Sequence, residues 1–222
     1  TIPMLPERLC NFICSLRPDE EKLAYSVIFN MDENADIKTY RIVHTVIKSD
    51  RRYAYEEVQQ LLEDNGVVDG TGEPAPPAPK GGYKGENADN LIMLDKLAKK
   101  LREKRFKNGA VKFDREELHF DVDEQGKPVR AYFKRSKDAN KLIEEFMLLA
   151  NRTVAESVGR PKDGRAPKTL PYRVHDNPDP QKLETLREFI MKFGYKLKTT
   201  STKGETSRSL NKLMDEVAGK RE

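Results

Sequence analysis

The chain has 222 residues, with 41 Lys+Arg against 37 Asp+Glu, and a net charge of +4 does not by itself announce a nucleic-acid binder. That length can bury a sizeable core in one or two domains. No apolar run approaches the 18 or more residues of a membrane span and no stretch resembles a signal peptide, so a soluble, cytoplasmic protein is expected. The first residue is Thr1 and not methionine, which is read as either a processed product or a piece of something longer.

Cys10 and Cys14 stand four apart in a predicted helix, where a Cα separation of about 6 Å and diverging Cβ vectors do not suit a disulfide. From Ala24, "AYSVIFNM" and "IKTYRIVHTVIKS" are β-branched and aromatic runs joined by the polar "DENAD", and they predict a hairpin. Tyr55, Val58, Leu61 and Leu62 mark a short amphipathic helix that stops before Asn65-Gly66. Residues 66–85, "GVVDGTGEPAPPAPKGGYKG", are rich in Gly and Pro and read as an exposed loop or flexible linker.

A second helix follows, with Leu91, Leu94, Leu97, Ala98 and Leu101 inward and a basic face outward. Its segment "KLAKKLREKRFK", Lys96 to Lys107, carries seven cations and one glutamate, which suits either a polyanion or a solvated helix face. "AVKF", "ELHFDV" and "VRAYF" predict short strands, the last two joined by a "DEQG" turn. A helix from about Lys137 to Val158 comes next, then a "GRPKDGRAPKTLP" loop. Leu183, Leu186, Phe189, Ile190 and Phe193 support a helix that begins near Pro180, and Leu210, Leu213, Met214 and Val217 support a last one. Strands and helices mix without strict alternation and without internal repeats, so the expected fold class is α+β, of mixed short strands and helices.

The helix containing "DANKLIEEFMLLAN" carries an unusual pattern. Ala139, Leu142, Ile143, Phe146, Met147, Leu149 and Ala150 form one broad apolar arc, and Leu148 lies apart from it. Asn140, Glu144 and Asn151 fall within roughly 40° of one another at the edge of that arc. Lys141 and Glu145 point elsewhere, as an i, i+4 pair. Glu144 is therefore expected to face a polar groove beside the core.

Convergent catalytic groups are not apparent. His44, His119 and His175 are far apart and lack metal-ligand spacing, and no GxxxxGK[ST] phosphate loop occurs. "DVDEQG" from Asp121 mimics the start of a calcium loop, but its twelfth position is Tyr132 where a bidentate glutamate is needed. The carboxylates of "RPDEE" and "DENAD" fall in predicted turns and do not make a two-metal cluster.

Five strings carry a resemblance: "IPMLPERLCNFICSLRPDEEKLA", "YAYEEVQQLLE", "NGAVKFDREELHF", "SKDANKLIEEFMLLANRTVA" and "YRVHDNPDPQKLETLREFIMKFGYKL". In order and over nearly the whole chain apart from the Pro/Gly segment, they resemble the RNB catalytic domain of the ribonuclease II family, in its ribonuclease R branch. The resemblance implies a processive 3′→5′ exoribonuclease acting on single-stranded RNA, with Mg²⁺ held by clustered aspartates. In the family pattern those aspartates lie upstream of "MLPE" and an arginine motif lies downstream of Glu222. The chain is accordingly expected to be a partial RNB domain, residues 1–222, with no catalytic or metal-binding residue of its own, no bound cofactor and no nuclease activity in isolation. No membrane partner is expected, and the parent is expected to be monomeric.

Matching motifs imply three substrate-binding residues. Tyr55 falls where the family has a tyrosine that helps to tell RNA from DNA at the 3′ end, and Glu144 falls on the glutamate that is its partner near the ribose. The chemistry agrees, because a 2′-hydroxyl offers a donor to a carboxylate and an acceptor to a phenol. Phe113 matches an aromatic that stacks the terminal base, with Lys112 as the alternative by one residue of register. Each position also admits a purely structural role, and "RVHDNP" matches without implying a role for His175 or Asp176. The competing reading is a non-catalytic RNA-binding or scaffold protein derived from the same fold.

Overall fold

The protein is described from a computed structural model that covers residues 3–68, 80, 82–111, 116–162, 164–174, 176, 178–198, 203–218 and 220. Its chain divides into two compact units, Thr1–Lys99 with Lys137–Thr169 and Lys100–Ser136 with Leu170–Glu222. Helices and antiparallel hairpins mix in the α+β manner expected.

In the first unit a π-helical turn, Arg8–Ile13, carries the unpaired thiol Cys10 within it and Cys14 just after it, and the Cys14 N–H donates to the Leu9 carbonyl at 2.9 Å. Strands β1 (Glu21–Met31) and β2 (Ile37–Lys48) form the predicted hairpin. Its turn is organised by Asp32, whose Oδ1 accepts from the Asn34 and Asp36 N–H groups at 2.9 Å each while Oδ2 pairs with Lys38 at 2.8 Å. The Lys38 bond and the two N–H groups favour the ionised carboxyl and hold Asp32 down at about 2.

The hairpin does not keep one face inward. Towards its open end Lys22, Ala24 and Ser26 are half-buried and Leu23, Tyr25, His44 and Val46 are exposed. Beyond Ser26 the roles exchange, with Val27, Phe29 and Ile42 half-buried. Two-stranded ribbons twist strongly, so a ribbon this long turns its faces along its length.

Helix α1 (Tyr55–Asp64) starts where Glu57 Oε2 accepts from the Ala54 N–H at 2.7 Å, which satisfies one otherwise free donor at the helix start. It ends with Gly66 at φ 86°, from which the Gly66 N–H reaches Glu63 O and the Val67 N–H reaches Leu62 O, both at 3.0 Å. This reversal needs a left-handed residue and brings Val67 back against Leu62. The pair forms a buried cluster with Ile92 of α2 (Ala88–Lys107), lined by Val58 and Tyr83.

The ends of the Pro/Gly segment are therefore packed, contrary to the expectation of a loop exposed from Gly66 to Gly85. Asn65 adds to this, because its side chain donates to Lys84 O at 2.9 Å and accepts from Lys84 N at 2.7 Å. Residues 69–79 and 81 lie outside the described residues.

Helix α3 (Asp138–Gly159) packs on α1. Asp138, Ala139, Leu142, Glu145 and Thr153 are its buried residues, a stripe that shares only Ala139 and Leu142 with the expected arc. Ile143 and Met147, expected inside, are 49% and 54% exposed, and Glu145, expected outside beside Lys141, is 3% exposed. In α2 the inward residues are likewise Ala88, Ile92, Asp95 and Ala98, with Leu94 exposed. Apolar spacing alone could not place these faces, because buried charged groups occupy their centres.

In the second unit β3 (Glu116–Val122) and β4 (Pro128–Arg135) form the other predicted hairpin. Asp123 Oδ1 accepts from Gln125 N at 3.0 Å and Lys127 N at 2.8 Å, so the calcium-loop mimic is a turn. The strand expected at "AVKF" is not present at Ala110 and Val111: the Ala110 N–H instead closes α2 by donating to Arg105 O at 3.2 Å. Lys112 and Phe113 lie outside the described residues.

Helix α4 (Pro180–Met191) has proline in its first turn and an Asp179 cap accepting from Gln181 N at 2.8 Å. Its end repeats the α1 device, with Gly194 at φ 83° and the Tyr195 N–H donating to Ile190 O at 3.1 Å. Ile190, Leu197 and Leu213 of α5 (Lys203–Val217) make the buried centre, surrounded by Leu186, Tyr195, Leu210 and Val217.

Candidate functional site

The site residues of the first unit are held by an antiparallel contact of α1 with the start of α3. The Ala139 N–H donates to Gln59 Oε1 at 3.1 Å in a buried position, and Lys137 Nζ pairs with Glu63 Oε1 at 3.1 Å. Hydrogen bonds from Gln59 and Lys137 hold the Glu63 carboxyl below its ordinary value. The free N–H groups of the first turn of α3 are thus met in part by a side chain of α1.

Tyr55, Gln59 and Glu63 share one face of α1 at i, i+4 spacing. Lys137 and Ala139 run in the opposite sense along α3. Tyr55 stands one further turn of α1, about 5.4 Å, before Gln59. Tyr55 is the first residue of α1 and is 45% exposed.

Glu144 is half-buried, away from the stripe of Asp138, Leu142 and Glu145. It heads an accessible line of Met147, Leu148 and Asn151 at i+3, i+4 and i+7. Asn140, grouped with Glu144 by spacing, is instead engaged in capping the helix, where its Oδ1 accepts from the Lys137 N–H at 3.2 Å. The result is a carboxylate beside two apolar side chains and one amide, a surface that can accept a hydroxyl and cover the apolar side of a sugar or base.

Behind this surface lies a cluster that sequence reasoning missed. Lys99 Nζ is 2.9 Å from Asp95 Oδ2 and 3.9 Å from Asp138 Oδ2, so one ammonium serves two carboxylates from α2 and α3. Both aspartates are buried, Asp95 to 1% exposure. Burial pushes the Asp95 carboxyl up, Lys99 opposes this, and the like charge of Asp138 adds to it. The available signal was the Asp95/Lys99 i, i+4 spacing on the stripe of Ala88 and Ile92, although the cation run had assigned Lys99 to an outward face.

Much of that cation run is engaged. Lys96 Nζ donates to the Tyr83 hydroxyl at 3.0 Å, and Arg102 and Arg105 lie 5.3 and 5.1 Å from the Phe106 ring centre. Among the described residues no three His, Cys, Asp or Glu side chains are placed to hold a metal ion, and the buried Asp95 is already paired with Lys99. The described residues do not fit a divalent cation. No helix among the described residues is long and apolar enough to cross a membrane.

Comparison with known proteins bears on the family and the fold. The RNB domain family matches residues 1–221. Ribonuclease R of Aquifex aeolicus is 35% identical over 99% of this chain and 28% of its own length. DIS3-like exonuclease 2 of Schizosaccharomyces pombe is 42% identical over 72% of this chain and 17% of its own. Among solved structures, Mycoplasma genitalium RNase R in complex with ribose-methylated single-stranded RNA superposes with a TM-score of 0.76 at 28% identity, covering 96% of this chain and 31% of that one. The chain spans less than a third of the length of these relatives. It belongs to the RNB domain family.

Proposed function

We propose that this chain is the ribose-recognising part of a 3′→5′ exoribonuclease that degrades single-stranded RNA to nucleoside monophosphates. Tyr55 and Glu144 engage the 2′-hydroxyl of the terminal nucleotide, and Phe113 stacks its base. The observation that carries this reading is the α1–α3 contact, which packs the helix that begins with Tyr55 against the helix that carries the partly accessible Glu144 and its apolar neighbours Met147 and Leu148. A carboxylate that accepts from the 2′-hydroxyl and a phenol that donates to it leave a deoxyribose strand with both groups unpaired, which penalises DNA.

The same reading takes single-stranded RNA as partner, a cytoplasmic setting, a monomeric parent and Mg²⁺ as the parent's metal. Among the described residues no group of acids or histidines is placed to hold that metal. The test is competition between short oligouridine and oligothymidine of equal length for the wild-type chain and for Glu144→Ala. The variant is expected to narrow the preference for the ribose strand; an unchanged ratio would leave Glu144 with a structural role only. In a gel time course with 5′-labelled single-stranded RNA and Mg²⁺, the chain alone is expected to leave the RNA intact.

A further inference from the structure

The string "YAYEEV" holds two tyrosines, and the ribose site takes only the second. The first, Tyr53, is half-buried and stands just before α1. Its hydroxyl donates to Glu86 O at 3.2 Å and accepts from Asn87 Nδ2 at 3.1 Å. Asn87 immediately precedes α2 and holds φ 55°, a left-handed conformation that asparagine adopts more readily than most side chains. Its carbonyl accepts from the Leu91 N–H at 3.0 Å, so the residue that opens α2 also reaches the phenol that precedes α1. One hydroxyl thus ties together the starts of two helices.

Arg51 covers the same tyrosine. Its guanidinium lies 4.7 Å from the Tyr53 ring centre, its Nη2 donates to Glu57 Oε1 at 3.1 Å, and its Nε lies 3.3 Å from Glu86 Oε2. The other oxygen of Glu57 is the one that accepts from the Ala54 N–H. Both residues before Tyr55 are therefore held, Tyr53 by its ring and hydroxyl and Ala54 by its N–H. All of these groups lie within the first unit.

We infer that Tyr53, together with Arg51 and Asn87, is a positioning residue for Tyr55 and so sets how strongly the ribose strand is preferred over the deoxyribose strand. The inference rests on the ribose-recognising role given to Tyr55 above. Tyr55 is the first residue of α1 and is 45% exposed, and the first turn of a helix is where backbone N–H groups lack intrahelical partners and the chain frays. A phenol that must come within hydrogen-bond distance of a 2′-hydroxyl needs that turn held in one place. The ion pairs of Arg51 are exposed, and such pairs add little to overall stability. Their effect is local, because they converge with the two Tyr53 hydrogen bonds on the residues that lead into Tyr55. Loosening them removes a contact that only the ribose strand can make, so the loss falls on that strand alone.

The test is competition between oligouridine and oligothymidine of equal length for the wild-type chain, for Tyr53→Phe, Asn87→Gly and Tyr55→Phe, and for the double variant Tyr53→Phe/Tyr55→Phe. Tyr53→Phe keeps the ring beneath Arg51 and removes both hydrogen bonds, and Asn87→Gly keeps the left-handed backbone and removes the donor. Each should narrow the preference by about 2- to 10-fold, the worth of one hydrogen bond, through weaker binding of the ribose strand and with a melting temperature close to wild type. Arg51→Lys keeps the charge without the two-pronged contact and should act in the same direction. In the Tyr55→Phe background Tyr53→Phe should add nothing, because both act on one contact. A ratio unchanged in Tyr53→Phe and Asn87→Gly, while Tyr55→Phe narrows it, overturns the inference and leaves these contacts structural. Additive losses overturn it as well, since Tyr53 then acts by another route, and so does equal weakening of both strands with a lowered melting temperature. If Tyr55→Phe itself leaves the ratio unchanged, or the wild-type chain prefers neither strand, the ribose reading of Tyr55 fails and this inference fails with it.

Discussion

The buried centres of the two units are built from different materials. In the first, α1, α2 and α3 meet through Gln59, Asp95, Lys99, Asp138 and Glu145, beside a small apolar cluster of Leu62, Val67 and Ile92. In the second, Ile190, Leu197 and Leu213 meet inside a ring of largely apolar side chains. Apolar contacts tolerate sliding, because dispersion and burial depend weakly on direction. A lysine between two carboxylates accepts few arrangements, and breaking it leaves charge without compensation. The unit that carries Tyr55 and Glu144 is thus the one whose helices are fixed by directional groups.

Lys99→Met should break this comparison most strongly. It leaves Asp95 and Asp138 buried together and should cost about 3–5 kcal/mol in urea denaturation at neutral pH. The sign of its pH dependence follows from Asp95. A carboxyl raised in the folded state is not penalised below its unfolded value, and the penalty enters as pH rises through the folded value. The deficit of Lys99→Met should therefore shrink on acidification, and a deficit independent of pH would mean that the node is not charged as described.

Leu213→Ala should come next, at about 2–4 kcal/mol by the same measurement, from lost burial and a residual cavity. It should show little dependence on pH, since Ile190, Leu197 and Leu213 carry no titrating group. Gly66→Ala and Gly194→Ala sharpen the comparison as a matched pair, each adding a Cβ at positive φ at a cost of about 1–2 kcal/mol. Similar losses at the two positions would confirm that the units differ in their centres and not in how their helices end.

Asp32→Asn should have the smallest effect. Asp32 is held down by Lys38 and backbone N–H groups, so its contribution is present above its ordinary value near 4 and is lost as pH falls towards about 2. The variant should match wild type at pH 2 and fall slightly below it at neutral pH. Asp32 and Asp95 thus bend the stability curve in opposite senses.

Both hairpins, the five described α-helices and the helix start at Pro180 were legible, because each rests on local signals: alternation, 3.6-residue spacing, Asn-Gly and proline. Which face each helix turns inward was less legible. The pattern of α3 pointed to Ile143 and Met147 as core and to Glu145 as surface, and the structure reverses these because Asp138 and Glu145 lie on the buried side. A buried carboxylate is visible in a sequence only if its partner is known, and Lys99 reads as one cation among seven. Glu144 was singled out by its place at the edge of the apolar arc, and it remains half-buried at an edge, though of a different stripe. Asn140 shows the limit of such grouping, since a backbone N–H claims its side-chain oxygen.

The Asn65 clamp has a consequence for engineering. With Lys84 N and O both bonded to one amide and Val67 and Tyr83 anchored in the core, the two ends of the Pro/Gly segment are joined independently of what runs between them. Closing a longer flexible loop between fixed ends costs only about 0.6 kcal/mol for each doubling of its length. A fluorescent domain or an affinity tag could therefore be spliced between Val68 and Lys80, leaving the helices that carry Tyr55 and Glu144 undisturbed.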